Sequence, residues 1–206
     1  MIKVENLQKI YGKGSTATHA LNGVSLQIDS GEFVAIMGRS GSGKSTLLHL
    51  LGLLDTPTQG EIFIDNQDVL KLSSEEQAHF RLGKLGYVFQ EFSLISEMTI
   101  QENVYLPAVC LARENHYRQR AKDMLENVGL GERLTHYPNE VSGGEQQRAA
   151  IARALINQPK ILFADEPTAS LDATSAKIVL ELFRKLNKES GQTIVMVTHE
   201  PEDQKY

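Results

Sequence analysis

The chain has 206 residues, of which 41% are hydrophobic and 23% charged, and its formal net charge is -5 at pH 7. This length is enough for one α/β domain with a sizeable core and too short for two ordinary ones. With 21 Lys and Arg against 26 Asp and Glu, the composition lacks the overall basic surplus of a protein whose main ligand is duplex nucleic acid. A single cysteine excludes an internal disulfide and a thiolate-rich metal site.

Hydropathy along the chain gives no sign of a membrane span or a secretory signal. The longest strongly apolar run, 47–54, is well below the roughly 18 residues that a bilayer requires. Charges at Lys3, Glu5 and Lys9 interrupt the start, where a signal peptide would have an unbroken apolar core. We therefore expect a cytoplasmic protein that cannot cross a membrane alone.

The first 90 residues predict strands followed by one buried helix. Residues 1–36 alternate polar and apolar side chains in short runs separated by glycines, which predicts antiparallel strands. The run 33–38 ends in a glycine-rich turn, and the leucine-rich segment from Ser45 onward predicts a buried helix.

The later part of the chain alternates strands and helices. Residues 161–164 and 193–198 are apolar throughout, which is typical of central strands covered on both faces. Between them, residues 175–188 predict a helix whose apolar face consists of Ile178, Val179, Leu182, Phe183 and Leu186. The order strand, helix, strand predicts a parallel sheet with right-handed crossovers. Residues from about 91 to 140 are more polar and mostly helical, and we expect them to form a helical subdomain inserted into a core made of 1–90 and 141–206.

A glycine-rich loop follows the strand that begins at Phe33. Residues 38–45 match GxxxxGK[ST] completely, between a predicted strand and a predicted helix. Glycines there let successive backbone N–H groups point at phosphate oxygens, Lys44 places a cation on the β and γ phosphates, and the Ser45 hydroxyl is suited to Mg²⁺. The alternative is a glycine-rich turn that carries GKS by chance. We expect the nucleotide contacts to come from Gly38, Arg39, Ser40, Gly41, Ser42, Gly43, Lys44, Ser45 and Thr46.

Two carboxylates, Asp165 and Glu166, end the apolar strand that begins at Ile161. A parallel sheet presents its ligand crevice at this edge. Asp165 would hold Mg²⁺, and Glu166 would polarise the attacking water. The alternative is that 165–168 form a turn that caps the next element.

The run 141–148 (VSGGEQQR) precedes an alanine-rich helix. Taken alone, Ser142 and Glu145 predict a helix capping box, in which the hydroxyl and the carboxylate each accept a backbone N–H. That structural role does not compete with a functional one, because a helix start rich in free N–H groups is also an anion site.

With these motifs in this order, the sequence resembles the ATP-binding cassette (ABC) ATPases over its whole length, and most of all the lipoprotein-releasing and macrolide-exporting group. Residues 142–146 correspond to the family signature, with Val141 for the usual Leu and Glu145 for the usual Gln; the runs 20–25 and 51–55 carry the likeness to the subgroup. The resemblance implies a P-loop NTPase core with a mostly parallel sheet, an N-terminal antiparallel β-subdomain and an inserted α-helical signature subdomain. Family members continue beyond His199 with a short helix and two strands, so we expect this domain to be truncated at its C-terminal end.

The resemblance also implies roles for individual residues. Tyr11 would stack on adenine, and Gln90 and His199 would position the γ phosphate, Mg²⁺ and water. Taken alone, Tyr11 fits a core or surface aromatic, Gln90 a polar loop residue, and His199 a strand-end histidine. The catalytic residues implied are Lys44, Gln90, Glu166 and His199. The further nucleotide contacts implied are Tyr11, Ser142, Gly143, Gly144, Glu145 and Asp172. The metal contacts implied are Ser45, Gln90 and Asp165.

As a family member, the chain is expected to hydrolyse ATP with Mg²⁺, to form a head-to-tail homodimer on ATP binding, and to power a separate integral-membrane permease. It would then lie on the cytoplasmic face of the inner membrane, held there by its partner. A groove for the permease is expected at Phe92, Leu94, Ile95, Met98, Val104, Leu106 and Val109. The alternative for these residues is the core of the helical subdomain.

Two other functions remain open at this point. The first is a non-transport ABC ATPase of DNA repair, chromosome handling or translation. It is disfavoured because no coiled coil, second cassette or basic surface is visible, and the basic residues of 113–126 are interleaved with acidic ones. We therefore expect no nucleic-acid partner. The second is a nucleotide-binding regulatory subunit without turnover, and Glu166 argues against it.

Overall fold

A computed structural model describes residues 1–111 and 116–200. In chain order, the strands and helices are β1 (Ile2–Tyr11), β2 (Thr18–Ile28), β3 (Phe33–Met37), α1 (Lys44–Leu51), β4 (Gln59–Ile64), β5 (Gln67–Asp68), α2 (Ser74–Lys84), β6 (Leu85–Val88), α3 (Ile100–Cys110), α4 (Tyr117–Asn127), α5 (Gly143–Leu155), β7 (Ile161–Asp165), α6 (Ala173–Ser190) and β8 (Thr193–Thr198). Short 3-10 turns occur at Gly14–Thr16, Gly131–Arg133 and Pro138–Glu140. No helix in the described ranges is both long and apolar enough to span a bilayer.

The described strands form two sheets. One is antiparallel, with the order β2-β1-β4-β5, and the other is parallel, with the order β3-β8-β7-β6. The predicted α/β class and parallel sheet are confirmed. The prediction that β3 is antiparallel is wrong, because β3 pairs in parallel with β8, Phe33 opposite Ile194. Its partner lies about 160 residues later in the sequence, and a short alternating run carries no information on so distant a pairing.

Among the described residues, three apolar clusters hold these layers together. The first contains the leucines of α1 together with apolar residues of the antiparallel sheet and of one face of the parallel sheet, and α1 contacts β2, β7 and β8. The second lies on the other face of that sheet, under α5 and α6. Successive residues of β7 alternate between the clusters, Phe163 in the first and Leu162 in the second, so the strand is covered on both faces, as its unbroken apolar run predicts.

The helix α6 buries a face slightly rotated from the predicted one. Val179 and Phe183 are buried as predicted, but Ile178 is 42% exposed and Leu180 is 4% exposed. Leu182 and Leu186 are only partly buried against the same cluster. The stripe in contact with the sheet is therefore narrower than the predicted face and centred on 179, 180 and 183.

The helices α3 and α4 form the third cluster together with the signature helix α5. Val104 and Leu125 pack there against Ala149, Ala152 and Ile156. The expectation that Val104 lines a permease groove is wrong, because its side chain is fully buried in this cluster. Ile95 and Val109, by contrast, are exposed. On α4, Lys122 pairs with Glu126 and Gln119 bonds to Asp123, as expected of a solvated helix face. Arg120 departs from this expectation, because its Nε is buried and its Nη2 bonds to Asn157.

Two expectations concern parts of the chain outside the described residues. The expected truncation lies beyond His199, where residues 201–206 are not described. Residues 113–115 of the mixed-charge segment are likewise outside the described ranges.

Candidate nucleotide site

The register of the parallel sheet brings the ends of three predicted motifs to one edge. Met37 lies opposite Thr198, Asp165 opposite Val197, and Val88 opposite Ala164. The residues that follow these positions therefore leave the sheet side by side: Gly38, His199, Glu166 and Gln90. This is the carboxyl edge, at which open α/β sheets bind ligands.

The glycine-rich loop joins this edge to α1. Gly43 is the N-cap of α1 with φ +91°, and a Cβ atom there would come within 2.3 Å of the Ala20 carbonyl oxygen, so only glycine fits. Gly41 also has a positive φ, +78°, but in open space. Lys44 is largely buried, and its Nζ donates to the Arg39 carbonyl at 3.2 Å, which holds the side chain across the loop.

The predicted metal contacts Ser45 and Asp165 are in direct contact. Ser45 Oγ donates to Asp165 Oδ1 at 2.9 Å, across 120 positions of sequence. These hard oxygen donors fit Mg²⁺, which is usually held by one or two carboxylates together with phosphates and water. The part of the chain that the structure describes holds no group of three or more His, Cys, Asp or Glu that could form a protein-only metal cage.

Glu166 and His199 form the second close pair. His199 Nδ1 lies 3.1 Å from Glu166 Oε2, and Nε2 lies 3.2 Å from Glu200 Oε1. The backbone of Glu166 has φ +44°, which is strained for a residue with a side chain, and its N–H donates to the Val197 carbonyl at 2.9 Å. The surrounding strands thus fix the direction in which this carboxylate leaves the sheet.

Gln90 lies exposed in the turn directly after β6. The segment that follows it has left-handed backbone at Phe92 and Ser93 and is anchored to α5. Arg153 donates from Nη2 to the Phe92 carbonyl at 2.8 Å and from Nη1 to the Ser93 carbonyl. Burial lowers the pKa of this guanidinium.

A second side chain of α5, Gln147, is fully buried and donates to the Pro167 carbonyl at 2.7 Å, just after Glu166.

The signature residues contact α6 and the helical segment. Ser142 is the N-cap of α5 and forms the predicted capping box with Glu145, which confirms that structural prediction. Glu145 also accepts from Arg133 Nε at 3.0 Å. A Cβ atom on Gly144 would come within 2.5 Å of Ser175 Oγ, so α6 packs directly on this glycine, while Ser142 is exposed.

Two further predicted nucleotide contacts lie at the start of α6 and at the end of β1. Asp172 is the N-cap of α6 and accepts from the backbone N–H groups of Thr174 and Ser175, both at 3.0 Å. Because Ser175 also packs on Gly144, it links Asp172 to the signature. Tyr11 ends β1 with 41% of its surface exposed, and its hydroxyl donates to Asp55.

The capping box makes stability depend on pH. The Ser142 backbone N–H is the main cause that lowers the pKa of Glu145 below 4.5, and the Ser142 hydroxyl and Arg133 add to it against the opposing effect of burial. A lowered folded-state pKa stabilises the fold above the unfolded value, and this stability is lost as pH falls through the folded value. We expect Glu145→Ala to cost about 1 kcal/mol at pH 7 and less near pH 3, by urea unfolding. A cost that does not change with pH would contradict this.

Sequence reasoning missed His49. Its Nε2 lies 3.4 Å from Asp165 Oδ2, so this carboxylate contacts both Ser45 and His49 of α1. The spacing of Ser45 and His49 could have predicted this contact, because residues four apart lie on the same face of a helix. Lys9, Asp55, Arg133 and Arg153 were missed as well. Asp55 contacts Tyr11, and Arg133 contacts Glu145, only through the tertiary fold. Arg153 holds the segment after Gln90, and Lys9 lies two positions from Tyr11 on the same strand.

Comparisons with known proteins agree with this geometry. A family model described as ABC transporter matches residues 21–169. An uncharacterized ABC transporter ATP-binding protein of Methanocaldococcus jannaschii is 54% identical over 100% of this chain and 92% of its own length. The macrolide export ATP-binding/permease protein MacB of Chlorobium phaeobacteroides is 51% identical over 97% of this chain, which spans only 30% of that relative. The lipoprotein-releasing system ATP-binding protein LolD of Shewanella oneidensis is 48% identical over 98% of this chain and 88% of its own length.

Solved structures agree as well. A dimeric bacterial ABC transporter cassette superposes with a TM-score of 0.92 at 46% identity, over 100% of this chain and 90% of that one. A dimeric cassette in a post-hydrolysis state, bound to ADP and phosphate, superposes with a TM-score of 0.91 at 45% identity, over 98% and 90%. The expected cassette fold is confirmed, and the chain belongs to the ABC transporter family as an ATP-binding, ATP-hydrolysing cassette.

Proposed function

We propose that this cassette hydrolyses MgATP at the carboxyl edge of its parallel sheet, in a head-to-tail dimer, and thereby powers a membrane permease. The observation that carries the proposal is the meeting, at one edge, of a complete phosphate loop with the pairs Ser45–Asp165 and Glu166–His199. Backbone N–H groups of residues 38–46 and the Lys44 ammonium bind the phosphates. Ser45, Asp165 and Gln90 would hold Mg²⁺, which would neutralise phosphate charge when bound.

Glu166 is the general base in this proposal. Its carboxylate is aimed by a fixed backbone and contacts His199, so it accepts a proton from the attacking water while His199 orients the γ phosphate and that water. Ser142, Gly143 and Gly144 of a second copy supply donors to the opposite side of the phosphate. The exposure of Ser142 supports this, because its position is accessible to another chain. Loss of the shared γ phosphate would then loosen the dimer.

We further propose that the partner permease is of the macrolide-exporting or lipoprotein-releasing type, with the cassette on the cytoplasmic face of the membrane. The names of the MacB and LolD relatives support this choice.

A cleft of about 450 Å³ offers a docking surface for the permease. None of the residues expected from the sequence to form the permease groove lines this cleft. Its apolar lining includes Leu54, Leu82, Leu85 and Phe89. Because Ser93 also lines it, the cleft adjoins the segment after Gln90.

Leu54→Asp tests this docking surface. Leu54 is 46% exposed in the cleft, so a carboxylate there leaves the fold intact but must be desolvated when an apolar helix docks. We expect the basal ATPase to be unchanged. Its stimulation by a macrolide-exporting or lipoprotein-releasing permease, reconstituted with it in proteoliposomes, should fall about tenfold or more.

The matched control is Ile178→Asp, which places the same charge at a residue 42% exposed on α6, away from the cleft lining. We expect it to retain both activities. Permease stimulation that survives Leu54→Asp would reject the cleft as the docking site.

A further inference from the structure

The strand end that carries Tyr11 is tied to the segment following α1. Tyr11 Oη donates to Asp55 Oδ2 at 2.8 Å, across 44 positions of sequence. Asp55 also accepts the Thr56 backbone N–H at 2.7 Å, which orients its carboxylate. Asp55 lies four residues beyond the end of α1, the helix that begins with Lys44 and Ser45. The backbone N–H of Leu54 donates to the His49 carbonyl of α1 at 2.8 Å, so the segment that carries Asp55 is tied to this helix.

Lys9 completes the arrangement from two residues earlier on β1. Its Nζ donates to Asp55 Oδ1 at 2.7 Å and to the Thr56 carbonyl at 2.6 Å. The same ammonium lies over the Tyr11 ring, 4.8 Å from its centre. Only 12% of the Lys9 side chain is exposed, so this cation is held by three groups rather than left in solvent.

The charges agree with these roles. Burial raises the pKa of Asp55, but hydrogen bonds from Lys9, Tyr11 and the Thr56 N–H outweigh it and leave the pKa below its usual value. Burial and the bond to Asp55 raise the pKa of the Tyr11 phenol. At neutral pH the phenol is therefore a donor and Asp55 an ionised acceptor.

The two faces of the ring differ as a result. Lys9 covers one face, while 41% of the Tyr11 residue surface remains exposed. An aromatic base that meets the other face finds a ring already fixed in orientation and polarised by a cation. Fixing the ring before binding removes the cost of ordering it on binding.

We propose that Lys9 and Asp55 are positioning residues for base recognition. They hold the Tyr11 ring with one face against the Lys9 ammonium and the other toward a purine base, at a fixed span from the phosphate loop. The inference rests on the proposed contact of Tyr11 with the base of ATP. Neither Lys9 nor Asp55 touches the base itself; both act through the Tyr11 ring.

The test compares MgATP with magnesium tripolyphosphate, which lacks the base, by titration calorimetry. We expect Lys9→Met and Asp55→Asn each to weaken MgATP binding about three- to tenfold and to leave tripolyphosphate binding unchanged. In hydrolysis, KM for ATP should rise by the same factor with kcat unchanged. Lys9→Arg, which keeps the cation and its donors, should restore most of the affinity.

A double-mutant cycle shows whether Asp55 acts through the phenol. Tyr11→Phe keeps the ring and removes the hydroxyl, so the effects of Tyr11→Phe and Asp55→Asn on MgATP affinity should be clearly less than additive. The control is Lys71→Met, which removes an exposed ammonium that pairs with Asp68 at 2.7 Å and should change the binding of neither MgATP nor tripolyphosphate.

The outcomes separate this inference from the function on which it rests. If Tyr11→Ala leaves MgATP affinity unchanged, the proposed base contact of Tyr11 is wrong. If Tyr11→Ala weakens MgATP binding but both Lys9→Met and Asp55→Asn do not, only the positioning role is overturned. Equal losses for MgATP and tripolyphosphate would also overturn it, because Lys9 and Asp55 would then act through the phosphate loop or the fold.

Discussion

Replacing Glu166 by Gln is expected to lower kcat for ATP hydrolysis by about 10²–10⁴-fold, the range of a lost general base, with MgATP affinity retained. The amide keeps the shape of the side chain but cannot accept the proton of the attacking water. The backbone at Glu166, with φ +44°, is set by its bond to Val197 and is unaffected by the change. Phosphate release under saturating MgATP measures the loss.

The same variant should dimerise in MgATP. Without hydrolysis the shared γ phosphate persists, so gel filtration of Glu166→Gln should give a dimer with MgATP and a monomer without nucleotide. A monomer under both conditions would contradict the head-to-tail mechanism.

Glu200→Gln is the matched control for this experiment. Glu200 contacts Nε2 of His199 at 3.2 Å, as Glu166 contacts Nδ1 at 3.1 Å, so the two changes remove equivalent charges from opposite sides of one imidazole. Because Glu200 is exposed and lies beyond the sheet edge, solvent screens its charge, and we expect less than about a threefold change in kcat. Equal losses in both variants would mean that the charge near His199, rather than a base at position 166, controls the rate.

Gly43→Ala is expected to have the largest effect on stability. A Cβ atom at this position would lie 2.3 Å from the Ala20 carbonyl oxygen, and φ is +91°, so the change adds a clash with backbone to an unfavourable conformation. Together these should cost about 3–5 kcal/mol, measured by urea unfolding without nucleotide. Relief of the clash must shift either β2 or the start of α1, and MgATP binding should be lost with it.

Gly129→Ala separates the two contributions. Gly129 has φ +74°, and a Cβ atom added there would meet nothing within 4 Å, so only the backbone conformation is penalised, at about 1 kcal/mol. It lies after α4, far along the chain from the phosphate loop, and should leave MgATP binding unchanged. Similar costs at Gly43 and Gly129 would mean that the contact with Ala20 contributes nothing.

The sequence predicts those parts of the site that depend on local order along the chain. A complete phosphate loop between a strand and a helix locates Ser45, and two carboxylates at the end of an apolar strand locate Asp165. Each motif is recognisable from neighbouring residues alone, and the two side chains are in contact. The capping box at Ser142 is equally local, since both partners lie within one turn of helix.

Long-range pairing accounts for what the sequence could not predict. The contact of Tyr11 with Asp55 depends on how β1 lies against the segment after α1, and no periodicity encodes it. Likewise, Val104 and Ile178 are both apolar residues on helices, yet one is fully buried and the other 42% exposed. Which face of a helix is covered is decided by its neighbours, here α5 for Val104 and the parallel sheet for α6.

The attachment of α5 sets a rule for engineering this protein. A chimera that exchanges only residues 91–140 with another cassette would place a foreign α3 and α4 against Ala149 and Ala152 of the native α5. It would also leave Arg153 bonded to a foreign loop at 92–93. A transplant that continues through 156 carries the guanidinium together with both of its acceptors, and it keeps Ile156 with the rest of the third cluster. Gln147 lies within the transplanted segment, and its acceptor, the carbonyl of residue 167, lies outside it. Because this acceptor is a backbone group, any residue at position 167 supplies it. The unit of recombination is therefore longer than the helical insert.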